Sequence, residues 1–380
     1  MAVALGRRQF ALALTGLACL SRFPFKDALA HQQPPQQTVN SGEVQELYRR
    51  AFVIDANAGP PLEASLPLTA GDLEVVSRSG VTAVKLSVSG QTYSFEQTVD
   101  EIAYMQGVVE AHPTHFLLVR THSDLARAKR EGKLGLILAF EHTEVLGSDL
   151  ARLQLFRRLG ILAMQLTYNR RSLYGDGCLE PGNAGLSNLG REAVARMNEL
   201  GIALDLSHCG AQTTFDGILA SKKPVLISHS GCNAVYRHPR NKDDRELRAM
   251  AERGGVIGIY MLPFLGGGPV APPTLELLLR HIEYALKVCG ADHVGIGSDL
   301  SLGPISDTPE YRARIAQAAA ERKSLGIGAP DEERPAYIPE LNNPRRLEGI
   351  ALAMQRRGHS PAVIEKVIGA NFYRVLGDIW

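Results

Sequence analysis

Leu134-Gly135-Leu136-Ile137-Leu138-Ala139-Phe140-Glu141 is the stretch that decides the fold. Seven residues pass without a charge and without polar alternation, the pattern of a strand buried on both faces in a parallel sheet. The run then ends on a carboxylate, and a carboxylate in so apolar a setting requires a cation, a metal or hydrogen bonds. The same unit recurs on either side. Strand candidates are Phe52–Asp55, Val81–Val88, Phe116–Val119, Leu162–Thr167, Ala203–Ser207, Pro224–Ser228, Val256–Tyr260 and His293–Ser298. Amphipathic stretches fall between them: Ser94–Ala111, Ser148–Leu159, Gly190–Leu200, Asp243–Arg253 and Thr274–Cys289. Strands alternating with helices at this pitch mean parallel strands joined by helical crossovers.

Nine strand candidates are one more than a (β/α)8 barrel needs. Phe116–Val119 is expected to be the extra one, a short strand leading into a helix over Ser123–Lys129. A doubly wound open sheet is the alternative, but no glycine-rich dinucleotide fingerprint follows the first strand. The polar residues favour the barrel. The C-terminal ends of the runs carry Asn57, Lys85, Glu141, Tyr168, His208, His229, Tyr260 and Asp299. Barrel active sites are assembled from the C-terminal ends of several strands. Gly266–Pro273 and Ile327–Asn343 read as long loops.

The composition is that of an ordinary globular protein, with 45% hydrophobic and 21% charged residues. With 41 Lys+Arg against 40 Asp+Glu there is no basic excess to neutralise a phosphate backbone, which excludes nucleic acid as the expected partner. Five cysteines are too few for a disulfide framework, although Cys178 and Cys289 would be able to pair in an oxidising compartment. Arg7-Arg8-Gln9-Phe10, the apolar run Ala11–Leu20 and Ala28-Leu29-Ala30 form a secretory signal. The paired arginines resemble a twin-arginine export signal, which implies a periplasmic protein and an export machinery that handles the precursor. The expected organisation is a signal over 1–30, a disordered Gln/Pro-rich lead-in over 31–41 and one barrel over 42–380. Removing 1–30 takes four basic residues and one acidic residue, leaving the mature chain near neutrality.

Several separate segments carry a resemblance. They are Phe140-Glu141-His142-Thr143-Glu144-Val145-Leu146-Gly147, Leu166-Thr167-Tyr168-Asn169 with Asp176-Gly177, Asp205-Leu206-Ser207-His208, Ile227-Ser228-His229-Ser230 and Arg240-Asn241. Gly254-Gly255-Val256-Ile257, His293-Val294-Gly295-Ile296-Gly297-Ser298-Asp299 and the C-terminal Asn343-Pro344 through Gly369-Ala370-Asn371-Phe372 continue it. In this order they resemble the membrane (renal) dipeptidase family of zinc peptidases, barrels of the amidohydrolase-like, metallo-dependent hydrolase type, from about Phe52 to Leu376. The resemblance implies that Glu141 bridges two zinc ions and that His208 and His229 complete the second zinc site. It also implies that Arg240 holds the free carboxylate of the substrate and that Asp299 handles protons. Neutral imidazoles with a carboxylate suit Zn2+, and a guanidinium forks onto a carboxylate.

The departures from the family pattern are as informative. The family closes its first strand with Asp-Gly-His-x-Asp, whose His and last Asp hold the first zinc. This chain has Asp55-Ala56-Asn57-Ala58-Gly59. An amide oxygen is a poor zinc ligand and glycine offers none. Asp55 shares the pleat parity of Asn57 but starts two residues deeper, so it reaches a metal only if that metal moves. The family also has a histidine where Tyr168 stands. One zinc per chain is therefore expected, held by Glu141, His208 and His229 with an open fourth position. Asp299 would be the general base and acid, and the Tyr168 phenol would donate to the developing oxyanion and contact the substrate. The expected activity is hydrolysis of a dipeptide or dipeptide-like amide with a free carboxylate. The alternative is a homologue that binds or matures a peptide-like ligand by metal-free acid–base chemistry. Cys209 and Cys232 follow the ligand histidines but are not expected to ligate. Whether the chain is a homodimer stays open.

Overall fold

The structure, a computed structural model, describes residues 41–61, 68–89 and 93–380. The segment 1–30, expected to be an export signal, and the expected lead-in up to residue 40 lie outside the described residues. Ser41 already belongs to the first helix, Ser41–Arg50. Among the described residues, no helix is long and apolar enough to cross a membrane.

Eight parallel strands close into a ring. They are β1 (Ile54–Asp55), β2 (Ala83–Ser87), β3 (Leu134–Phe140), β4 (Ile161–Gln165), β5 (Ala203–Asp205), β6 (Leu226–Ser230), β7 (Val256–Ile259) and β8 (Val294–Ile296). Each pairs with the next in chain order, and Asp55 of β1 pairs with Ile296 of β8 to shut the barrel. The ninth candidate is the extra strand, as expected. Phe116–Leu118 pairs with the first half of β3, and β4 takes over that edge from Leu138 onward. It leads into the helix His122–Glu131.

Every residue of β3 is buried, which explains its unbroken apolar run. One face looks into the barrel; the other is covered by helices, where Phe140 packs edge-on against Phe156 at 4.9 Å. The helices begin where capping residues stop the chain from extending. Ser94 and Thr274 accept from Gln97 N and Leu277 N at the starts of Phe95–Ala111 and Leu275–Cys289. Phe372 and Leu376, from the C-terminal helix, close the barrel floor beside Ile54, Ala56 and Ile137.

One strand boundary and one helix differ from expectation in a way that matters for the site. β6 runs to Ser230, so His229 sits inside the strand and not just beyond it, across a register irregularity against β7 between Ile227 and Ser230. The neighbouring backbones press close here. A Cβ at Gly258 or Gly297 would lie 2.1 or 1.9 Å from the Ser228 carbonyl oxygen, so only glycine lets these strands pack against the histidine-bearing one. The helix Pro309–Ser324 was not read from the sequence at all. Its residues are mostly exposed, so it lacks a clear apolar stripe, although Thr308 capping its start with Pro309 in the first turn is a helix-start signal.

Candidate metal centre and cavity

Three side chains from three strand ends converge at the C-terminal rim. Glu141 follows β3, His208 lies three residues past β5, and His229 lies in β6. Their ligand atoms all fall within 4.8 Å of one another. The two Nε2 atoms are 3.0 Å apart, and Glu141 Oε2 is 3.9 Å from His208 Nε2.

The hydrogen-bond network assigns the tautomers. The Asn169 amide nitrogen donates to the Ile327 carbonyl, so its Oδ1 faces His208 Nδ1 at 2.7 Å and that nitrogen carries the proton. The Ser228 hydroxyl gives its hydrogen to Asp205 Oδ2 at 2.5 Å, so it accepts from His229 Nδ1 at 2.9 Å. Both rings therefore turn an Nε2 lone pair inward, towards each other and towards a carboxylate. Burial first, and then the Arg240 charge, hold both imidazoles neutral, with pKa values well below the usual histidine range. Two converging lone pairs and one carboxylate are a donor set for a cation. The partners of the Nδ1 atoms fix ring orientation, as outer-sphere groups do in metal sites. Arg240 Nη2 lies 2.9 Å from His208 Nε2, so this guanidinium offsets part of the converging negative potential.

The first strand does not complete a second set. Asn57 Nδ2 donates to Glu141 Oε1 at 3.0 Å and to Asp299 Oδ1 at 2.7 Å, while its Oδ1 accepts from Lys85 Nζ at 2.8 Å. Asp55 is directed elsewhere: its carboxylate accepts from Ser298 N and Oγ and from Asn57 N. It anchors the turn after β8 and is absent from the converging set. A first metal held by Asn57, Gly59 and Asp55 does not fit these residues.

Beside the triad lies a cavity of about 240 Å³ lined by Tyr168, His208, Arg240, Asp299 and Arg322, with Phe264 among its apolar walls. A second hollow of about 460 Å³ meets Glu141, Tyr168 and Arg322 from the other side. Tyr168 stacks on His208 with ring centroids 3.9 Å apart. Arg322 Nη2 donates to the Tyr168 oxygen at 2.8 Å while its fork holds Glu332 at 2.7 and 3.0 Å. Burial pushes the phenol upward, so it keeps its proton. Arg240 is buried and donates from Nη1 to the Ser207 carbonyl at 2.9 Å. Asp299 stands at φ 60°, a left-handed conformation held by its N–H on the Asn57 carbonyl at 2.7 Å. Burial and the neighbouring Glu141 push its carboxyl up to about 7.

The structure thus brings Glu141, His208, His229, Tyr168, Arg240, Asp299 and Asn57 to one rim. Tyr260 of the sequence set turns away to Asn241. Cys178, Cys209, Cys232 and Cys289 are all free thiols, which corrects the expected option of a Cys178–Cys289 bridge. Cys209 accepts from Thr167 and does not face the triad. Sequence reading missed Arg322, because the helix that carries it was not recognised.

These features define a closed eight-stranded β/α barrel whose C-terminal rim carries a Glu–His–His triad able to hold a metal ion. The chain belongs to the membrane dipeptidase family (peptidase family M19), whose sequence model matches residues 43–316. It is similar to dipeptidase tcpJ of Claviceps purpurea, 27% identical over 288 residues that cover 75% of this chain and 60% of that protein. It is also similar to dipeptidase verJ of Clonostachys rogersoniana, 31% identical over 238 residues, 60% of this chain and 61% of that one. The matched region thus spans about three fifths of these curated relatives. Among solved structures it resembles an amidohydrolase from Pseudomonas aeruginosa, with 30% identity, a TM-score of 0.78 and coverage of 89% and 99% of the two chains. A metallo peptidase from Rhodobacter sphaeroides, liganded with a phosphinate mimic of the dipeptide L-Ala-D-Ala, shares the fold at 21% identity and a TM-score of 0.70, covering 87% and 99%.

Proposed function

We propose that the chain is a metal-dependent dipeptidase acting on a dipeptide or dipeptide-like amide with a free carboxylate, with one zinc ion per chain held by Glu141, His208 and His229. The observation that carries this reading is the pair of inward Nε2 lone pairs at 3.0 Å with Glu141 beside them, opening onto the cavity with Tyr168, Arg240 and Asp299. Family membership and the dipeptidase names of its relatives support it. A zinc ion in such a set polarises a carbonyl and makes water more acidic.

The chain's own residues do the rest. Asp299, raised to about 7, takes the proton from the attacking water and returns it to the leaving amine. The Tyr168 proton has no acceptor among the hydrogen bonds of the described residues, since Arg322 occupies the phenol oxygen as a donor. That O–H is free to meet a developing oxyanion. Arg240 receives the substrate carboxylate in bidentate fashion. The Arg7-Arg8 segment supports a periplasmic site of action.

The acid–base alternative is favoured by two contacts. Arg240 and His208 are already paired, and Asp299 is already tied to Asn57. A panel of L,L- and L,D-dipeptides, assayed beside elemental analysis of the dialysed protein, separates the two. The expected result is about one zinc per chain, with hydrolysis that a chelator abolishes and zinc restores. Full metal occupancy without hydrolysis of any member, or turnover that survives complete metal removal, would refute the proposal.

A further inference from the structure

Lys85 is the group whose position the proposed chemistry does not explain. It sits in the middle of β2, buried, with its stem among Ile54, Ala56, Ile137, Ala163 and Leu226 in the apolar barrel interior. Its ammonium reaches up into the polar layer. There Nζ donates to Asn57 Oδ1 at 2.8 Å and lies 3.3 Å from Asp205 Oδ2. The Asn57 amide then passes the polarisation on, because its Nδ2 donates to Glu141 Oε1 and Asp299 Oδ1. One fixed positive charge thus faces Asp205 directly, and Glu141 and Asp299 through a single amide.

We propose that the Lys85 ammonium, relayed by Asn57, permanently takes the place of the first metal ion, so that this centre is mononuclear by construction and not through weak ligation alone. The inference rests on the reading that Glu141, His208 and His229 hold one ion. Three observations carry it. The amide oxygen, the only atom Asn57 has for a metal, is occupied by Nζ. The Glu141 oxygen that would bridge to a first ion is occupied by Nδ2 of the same amide. Finally, the buried ammonium, 2.8 Å from the Asn57 amide oxygen, opposes a second divalent cation there, whose repulsion the low-dielectric interior would amplify. Three buried or half-buried carboxylates, Asp205, Asp299 and Glu141 of the triad itself, also need compensation. Lys85 supplies it where two-metal barrels use an ion, and Asp205 in turn holds the Ser228 hydroxyl that orients His229.

The experiment counts ions and does not depend on turnover. Gly59 has no positive φ, and a Cβ there would meet only the flexible end of Leu86 at 3.1 Å, so an acidic side chain is tolerable at that position. The dialysed wild type, Asn57→His/Gly59→Asp and Asn57→His/Gly59→Asp/Lys85→Met are loaded with Co2+ at controlled free concentration. Each is read by elemental analysis and by EPR for an exchange-coupled pair. The expected counts are one, one and two, with the coupled signal only in the triple variant. Two ions in the wild type or in the double variant overturn the role of Lys85 while leaving the triad intact. A folded triple variant that stays at one ion overturns it too. Should the triple variant fail to fold, the wild type and the double variant still decide, because both must hold one uncoupled ion. A wild type that binds none sinks the triad reading and this inference together.

Discussion

Replacing Tyr168 by phenylalanine removes one oxygen from the cavity wall and should lower kcat by two to three orders of magnitude. The ring is held by its stack on His208, with centroids 3.9 Å apart and planes 22° from parallel, and phenylalanine preserves that contact. Arg322 loses the phenol as an acceptor but keeps both hydrogen bonds to Glu332, so its position is retained. What disappears is the O–H that burial keeps protonated and that Arg322 leaves free to point at the substrate. Loss of one oxyanion donor typically costs about 2.7–4 kcal/mol, or about 10² to 10³ in kcat. The neutral change in stability should be small, about 1 kcal/mol, the net worth of one hydrogen bond. The assay is steady-state hydrolysis of the best dipeptide substrate, with wild type and variant brought to equal zinc content. The fall should appear in kcat with KM little changed, because the interaction is made only in the transition state. A variant with wild-type kcat, or one that changes only KM, would refute the assignment of Tyr168 as oxyanion donor.

Three further outcomes are expected. His208→Ala and His229→Ala should each abolish bound zinc in the dialysed protein, whereas Asn57→Ala should leave its ion count unchanged; loss of all metal from the Asn57 variant would show that the coordination is misassigned. Asp55 carries a pH dependence of stability: burial pushes its carboxyl up to about 6, against the hydrogen bonds from Ser298. The native state therefore holds a proton that the unfolded chain releases near its ordinary value of about 3.9, so this contribution to stability is lost as pH rises from about 4 to 6, by about 3 kcal/mol. Asp55→Asn stays neutral, so urea titrations should show the variant gaining on the wild type across that window; a difference that is flat from pH 4 to 7 would contradict the argument. Exchanging Arg7 and Arg8 for lysine should leave the precursor in the cytoplasm, and undiminished periplasmic protein on fractionation would rule out twin-arginine export.

Much of the fold was legible because buried parallel strands must be apolar on both faces. Leu134–Phe140 could be placed to the residue, and the surplus strand at Phe116 could be recognised by counting. Glu141, His208, His229 and Asp299 stood out because polar side chains ending apolar runs need partners, and a barrel gathers strand ends at one rim, whereas Arg240, in a loop, was implied only by the family resemblance. Other features depended on contacts that no local pattern encodes. Arg322 comes from a mostly exposed helix whose amphipathicity is too weak to read, and it reaches Tyr168 across 154 positions of chain. Asp55 and Lys85 could not be told apart by sequence as ligand and bystander. Only the pairing of β1 with β2 sets the Lys85 ammonium on Asn57, and only the approach of β8 to β1 turns Asp55 onto Ser298. The sequence alone pointed to a barrel with Glu141, His208 and His229 at strand ends and, through the family resemblance, to a first strand lacking the family's metal-holding His and Asp. The tertiary structure decided what Asn57, Asp55 and Lys85 touch, because a hydrogen bond between residues on different strands depends on register and side-chain direction in three dimensions.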